Sequence, residues 1–123
     1  MLLLDTSFLI DLEREFADRR EGPARRFLAA RAREPVAISI VSLGEFAEGF
    51  DDAREVEGFV SRFRVLTLSR AIAYKTAAIQ STLSRRLGEN DAWIAATALA
   101  YEAELVGHEA AFERVPRLRY RRV

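Results

Sequence analysis

The sequence predicts an α/β domain built on a central, mainly parallel sheet. Three observations carry that prediction. Residues 2–4 are LLL, apolar throughout; VAISIV (36–41) is dense in β-branched residues and apolar on both faces; and helical patterns separate each strand candidate from the next. Strands with no polar face need cover on both sides, which a parallel sheet with crossover helices provides.

The elements follow in order. LLL reads as a short buried strand ending at Asp5. TSFLIDLERE (6–15) reads as a helix with Phe8, Leu9 and Leu12 on one side. EGPARRFLAARARE (21–34) is a second helix, with Pro23 near its first turn, where a missing N–H costs little. VAISIV is the second strand, and Ser42 opens the helix SLGEFAEGF (42–50) behind it. A helix over 52–63 leads to the strand RVLTL (64–68). The longest helix covers 70–87, with Ile72, Ile79 and Leu83 along one stripe. NDAWIAATALAYEA (90–103) is a helix whose alanines permit close packing on a sheet. AELVGH (103–108) and LRYRRV (118–123) supply the last two strands. No repeat, linker or low-complexity tract interrupts the series.

Composition narrows the chemistry. The chain has 123 residues, 50% of them hydrophobic and 31% charged, a balance that suits one globular core. With no cysteine, disulfides, zinc–thiolate sites and thiol nucleophiles are excluded, and a single histidine, His108, excludes any site that needs two imidazoles. A metal here would be held by oxygen, which favours magnesium or manganese. No apolar run approaches the ~20 residues of a membrane span. The start, MLLLDTSFLIDLERE, lacks a basic segment before its leucines and does not read as a signal peptide, so a cytoplasmic protein is expected. Net charge is zero, although every cationic residue except Lys75 is arginine. Arginine grips phosphate as a fork and stacks on bases, yet a general bias toward arginine accounts for most of them equally well.

Four acids fall near element junctions. Asp5 ends the first strand; Glu45 lies on the first turn of the helix after the second; Asp91 begins the alanine-rich helix; and Glu109 follows ELVGH. Ligands of open α/β sheets bind beyond the carboxyl ends of the strands, where these residues could converge. Each also has a purely structural explanation. Asp5 is a suitable helix N-cap, Ser42-Leu43-Gly44-Glu45 fits a capping box, Asp91 complements a helix dipole, and Glu109 suits a solvated loop. Those explanations do not account for several acids sharing one edge. Converging carboxylates raise one another's pKa unless a cation neutralises them. A divalent ion would do so, and would activate water against a phosphodiester. No glycine-rich phosphate loop follows any strand.

The segments LLLDTSFLIDL, ISIVSLGEFAEG, GENDAWIAATAL and ELVGHEAAFERVPRLR resemble, in that order, the successive motifs of PIN-domain VapC toxins, nearly end to end. The resemblance implies one three-layer α/β/α PIN-like domain over 1–123, with a central parallel sheet of four or five strands. It implies a toxin endoribonuclease that uses Mg²⁺ or Mn²⁺ and leaves 5′-phosphate and 3′-hydroxyl ends. It also implies a VapB-type antitoxin partner, bound along grooves of the early helices, and a homodimer.

Carried over by position, Asp5, Glu45 and Asp91 match the metal-binding acids, and Glu109 assists catalysis. Thr6 or Ser7 matches a supporting hydroxyl, and Asn90 a supporting partner or a helix cap. Two departures stand out: Gly107 occupies a position where the family commonly has Ser or Thr, and the acid after it is the longer Glu109. Ala111 also lacks an acid that some members carry, and the turn RRLGEND is shorter than usual. Arg85 and Arg86, at the end of the long helix, are candidates for guiding an RNA backbone.

Trp93 reads as a core or dimer anchor, His108 as incidental, and Tyr74, Tyr101 and Tyr120 show no interpretable pattern. Two other readings keep the fold: a housekeeping PIN nuclease for RNA processing, whose members often carry added domains, and a non-catalytic RNA- or protein-binding module. A haloacid-dehalogenase-like phosphatase would need a second aspartate where Ser7 stands.

Overall fold

The computed structural model describes all residues, 1–123. Five strands form one wholly parallel sheet: β1 (Leu2–Leu4), β2 (Val36–Ser39), β3 (Arg64–Leu66), β4 (Glu104–Gly107) and β5 (Tyr120–Arg122), in the order β3-β2-β1-β4-β5. Leu2, Leu3 and Leu4 have no exposed surface, as the all-apolar LLL predicts for the central strand. Burial of each is worth roughly 2 kcal/mol.

Alternation along the strands divides the core into two layers. Leu3, Ala37, Leu66 and Leu105 pack under α5 (Arg70–Thr82), α6 (Glu89–Ala100) and the 3₁₀ turn η1 (Ala110–Arg114). Leu2, Leu4, Ile38 and Val106 pack under α1 (Thr6–Ala17), α2 (Pro23–Ala30), α3 (Ile40–Ala47) and α4 (Ala53–Val60). The result is the three-layer α/β/α arrangement. Alanine at 92, 95, 96 and 98 is buried in α6 and lets that helix approach α5 and the sheet closely. No helix is long and apolar enough to cross a membrane.

Several boundaries differ from the sequence reading, each for a local reason. β2 stops at Ser39, whose hydroxyl accepts from the Ser42 N–H at 2.9 Å, so Ser39 and not Ser42 caps α3. Glu45 therefore stands on the second turn, and its carboxylate closes no capping box. Pro23 does start α2, but the cap there comes from outside the helix. Glu15, buried on α1, accepts from the N–H groups of Gly22, Ala24 and Arg25 at 2.9, 3.0 and 2.9 Å. α5 ends at Thr82 because Leu83 turns extended, with ψ 136°, which leaves Arg85 and Arg86 in a turn and not on a helix. α6 starts at Glu89 after Gly88, so Asn90 is its second residue and not its cap.

The strand order places a switch point at β1. From β1 the chain steps outward through β2 and β3, then crosses by α5 and α6 to β4 on the other side. Connections therefore leave β1 and β4 in opposite directions, opening a crevice beyond their carboxyl ends.

Candidate active site

Asp5 stands at the bottom of that crevice, with only 1% of its surface exposed. It is the N-cap of α1, as its sequence position allows: Oδ1 accepts from the Phe8 N–H at 2.9 Å. The same oxygen accepts from the Ser7 hydroxyl at 2.6 Å, and Oδ2 accepts from the Tyr120 phenol at 3.0 Å. Capping thus accounts for one of three donors and leaves the residue's burial unexplained.

Around it an open pocket of about 460 Å³ is lined by Glu45, Asp91, Glu109, Asp11, Arg14 and His108, among others. All four acids singled out in the sequence thus face one pocket. Thr6 and Ser7 divide the supporting work. The Thr6 hydroxyl donates to Glu45 Oε1 at 2.6 Å, and Ser7 serves Asp5 while accepting from the His108 N–H at 3.1 Å. Asn90 donates to the other oxygen of Glu45 at 3.2 Å. Glu45, on α3, is therefore held between α1 and α6.

The electrostatics follow from this crowding. Burial raises the pKa of Asp91, and the charges of Glu45, Glu109 and Asp5 raise it further. Burial likewise raises Asp5, against the opposing hydrogen bonds from Ser7, Phe8 and Tyr120 and the pull of His108. A lining dominated by carboxylate and hydroxyl oxygen, with acids outnumbering Arg14 and His108, suits a hard divalent cation. No three acids are already drawn together as a finished cage. Mutual repulsion favours separation where no positive charge stands between them. Asp5, Asp91 and Glu45 are the acids there that could hold such an ion.

Other residues stand elsewhere. Arg85 and Arg86 do not line the acidic pocket. The Arg85 carbonyl accepts from Arg114 at 2.7 Å, and Arg86 lies with Glu89 and Trp93 on the outer face between α5 and α6. Trp93 is half-buried against the core layer. His108 is at the pocket mouth, its Nε2 2.8 Å from Asp11 Oδ2.

Three contributors escaped the sequence reading. Asp11 and Arg14 follow Ser7 at helical spacing on α1, a signal that periodicity could have revealed. Tyr120 had only an indirect one, the missing hydroxyl at position 107.

Gly107 itself is explained by contact. A Cβ there would lie 1.9 Å from Asp5 Oδ2 and 2.1 Å from both Cγ and Oδ1. The glycine exists because the carboxylate fills the space that a side chain would take.

Comparison with known proteins agrees with this fold. The family model described as PIN domain matches residues 2–118. A curated relative, a VapC ribonuclease of Mycobacterium bovis, is 30% identical over 130 residues, covering 96% of this chain and 93% of the relative. Among solved structures, DNA-bound VapBC from Salmonella typhimurium superposes with a TM-score of 0.80 at 28% identity, covering 98% of this chain and 96% of the other. A toxin–antitoxin complex from Klebsiella pneumoniae gives 0.72 at 28% identity, covering 94% and 93%.

Proposed function

This chain belongs to the PIN-domain family, and on that premise we propose that it is a metal-dependent endoribonuclease, the toxin of a VapBC-type pair. The observation that carries the reading is the meeting of Asp5, Glu45, Asp91 and Glu109 in one pocket beyond the ends of β1 and β4. Similarity to a VapC ribonuclease and to toxin–antitoxin complexes supports the substrate class and the antitoxin partner.

In this reading Asp5, Glu45 and Asp91 hold Mg²⁺ or Mn²⁺, which when bound supplies Lewis acidity for phosphodiester hydrolysis. Thr6 and Asn90 orient Glu45, and Ser7 orients Asp5. Glu109, exposed at the rim, faces the incoming strand and assists proton transfer. Residues 1–123 act as one domain, in the cytoplasm, and pair as a homodimer. The antitoxin covers the α1–α4 layer, where Phe16 is exposed beside Phe59, with Arg25 and Arg62 over their rings.

The test is cleavage of labelled structured RNA by wild type, Asp5→Asn and Asp91→Asn, freed of any partner, with Mg²⁺, Mn²⁺ or EDTA. Metal-dependent cleavage that leaves 5′-phosphate ends and disappears in both variants is expected. Cleavage that survives both substitutions would refute the site.

A further inference from the structure

The hydroxyl that position 107 lacks is present in space. We propose that Tyr120 is a positioning residue of the active site, its phenol tying the Asp5 carboxylate and the start of the Glu109 segment into one unit through the gap left by Gly107. The inference rests on the metal-site reading above and goes beyond it in assigning a role to a residue outside the four acids.

The argument begins with space. Any side chain at 107, serine and threonine included, would put its Cβ within about 2 Å of three Asp5 carboxyl atoms. With Asp5 where it stands, a hydroxyl must arrive from another strand. β5 lies beside β4 in parallel register, Leu105 opposite Tyr120 and Gly107 opposite Arg122. Tyr120 thus starts two residues short of the crevice, and its long ring spans the difference.

The phenol's bonding is fully directed. It donates to Asp5 Oδ2 at 3.0 Å and accepts from the Glu109 N–H at 2.7 Å. A phenol has a single O–H, so accepting from Glu109 leaves that hydrogen for Asp5. The ring is fixed by Phe112 of η1, their centroids 5.2 Å apart. An ordinary phenol, with a pKa of about 10, keeps its proton at neutral pH and so remains a donor. Tyr120 is the donor to Oδ2, whereas Ser7 and Phe8 both serve Oδ1. Its loss would leave one carboxylate oxygen unaimed and free the backbone that carries Glu109.

The experiment uses the full chain and the metal ion alone as probe. Tyr120→Phe keeps the ring and its Phe112 contact and removes only the hydroxyl. Mn²⁺ affinity, measured by the paramagnetic signal of the free ion, is expected to fall roughly 10- to 100-fold, as for other partners that orient metal ligands. In RNA cleavage, kcat should fall with KM little changed, and the melting temperature should stay within a few degrees.

A second measurement needs no altered Tyr120. In a Tyr74→Phe/Tyr101→Phe background, whose substituted positions are exposed and remote from the pocket, Mg²⁺ should still produce a tyrosine difference band in the near ultraviolet. A folded Tyr120→Phe chain that binds Mn²⁺ within about twofold of wild type, or the absence of that band, overturns the proposal. Asp5→Asn separates the two levels. If wild type binds Mn²⁺ no better than Asp5→Asn, the metal-site reading itself fails. If wild type binds better but Tyr120→Phe matches it, only the role of Tyr120 fails.

Discussion

The Thr6 hydroxyl donates to Glu45 Oε1 at 2.6 Å, linking the first residue of α1 to the second turn of α3. With Asn90 on the opposite oxygen, Glu45 is clamped from two helices. Removing one clamp without changing shape tests whether the orientation matters. Thr6→Val should lower Mg²⁺ affinity and cleavage by roughly tenfold, the scale for outer partners of metal ligands. Calorimetric titration with the metal, alongside cleavage rates, checks this; unchanged affinity would mean that Asn90 alone suffices.

Asp91 carries a cost in the metal-free protein, since burial and three neighbouring carboxylates disfavour its charge. Asp91→Asn keeps the shape and removes the charge. The metal-free variant should melt about 3–6 °C above wild type at pH 7, roughly 1 kcal/mol, while losing metal binding. Calorimetry of both proteins in EDTA decides it, and a lower melting temperature would show that the charge is already compensated.

The pH dependence has two opposed parts. Asp5 and Asp91 have raised pKa values, so the folded state binds their protons more readily than the unfolded state. The metal-free fold therefore gains stability as pH falls through those raised values toward the ordinary 3.8.

Glu15 and Glu104 are opposite in sign. Burial pushes each up, but the Arg25, Ala24 and Gly22 N–H groups outweigh it at Glu15, and Arg31 and Arg121 at Glu104. Their contribution is present above the ordinary 4.5 and is lost as pH falls through their lowered values. Denaturation in EDTA should thus show stability rising as pH falls from neutrality and falling again once it drops below the ordinary 4.5 of Glu15 and Glu104. Bound Mg²⁺ should reverse the upper limb, because it stabilises the ionised acids.

Glu15 fastens the start of α2 through three backbone N–H groups. Glu15→Ala would remove the acceptor for three backbone N–H groups and should cost roughly 3 kcal/mol. Urea unfolding measures the loss. A change under about 1 kcal/mol would mean that water replaces the carboxylate.

Gly107→Ala should be worse for the site than for the fold. The new Cβ would force the Asp5 carboxyl off its donors, costing about 1–3 kcal/mol in overpacking and abolishing metal binding. Retained cleavage would show that Asp5 can work from a second position.

Much of this protein was legible in its sequence. LLL and the first four residues of VAISIV are the buried strands that their composition predicts, whereas Ile40 and Val41 already belong to α3. The alanines of 92–98 marked a closely packed helix, and Asp5, Glu45, Asp91 and Glu109 stood out as acids near junctions. Local rules failed where two adjacent signals competed. Ser39 and Ser42 both suit an N-cap, and the backbone exit from β2 chose Ser39. Leu83 continued a helical stripe, yet its extended backbone ended α5 at Thr82 and removed Arg85 and Arg86 from the helix.

Periodicity and composition determined the fold class and excluded thiolate and two-imidazole metal sites, since both depend on residue type and short-range spacing. Only the tertiary structure decided which hydroxyl serves which acid, why position 107 is glycine and that Tyr120 reaches Asp5. Those facts arise from strand order and from ångström-scale contact between segments as far as 115 residues apart, which local spacing does not encode.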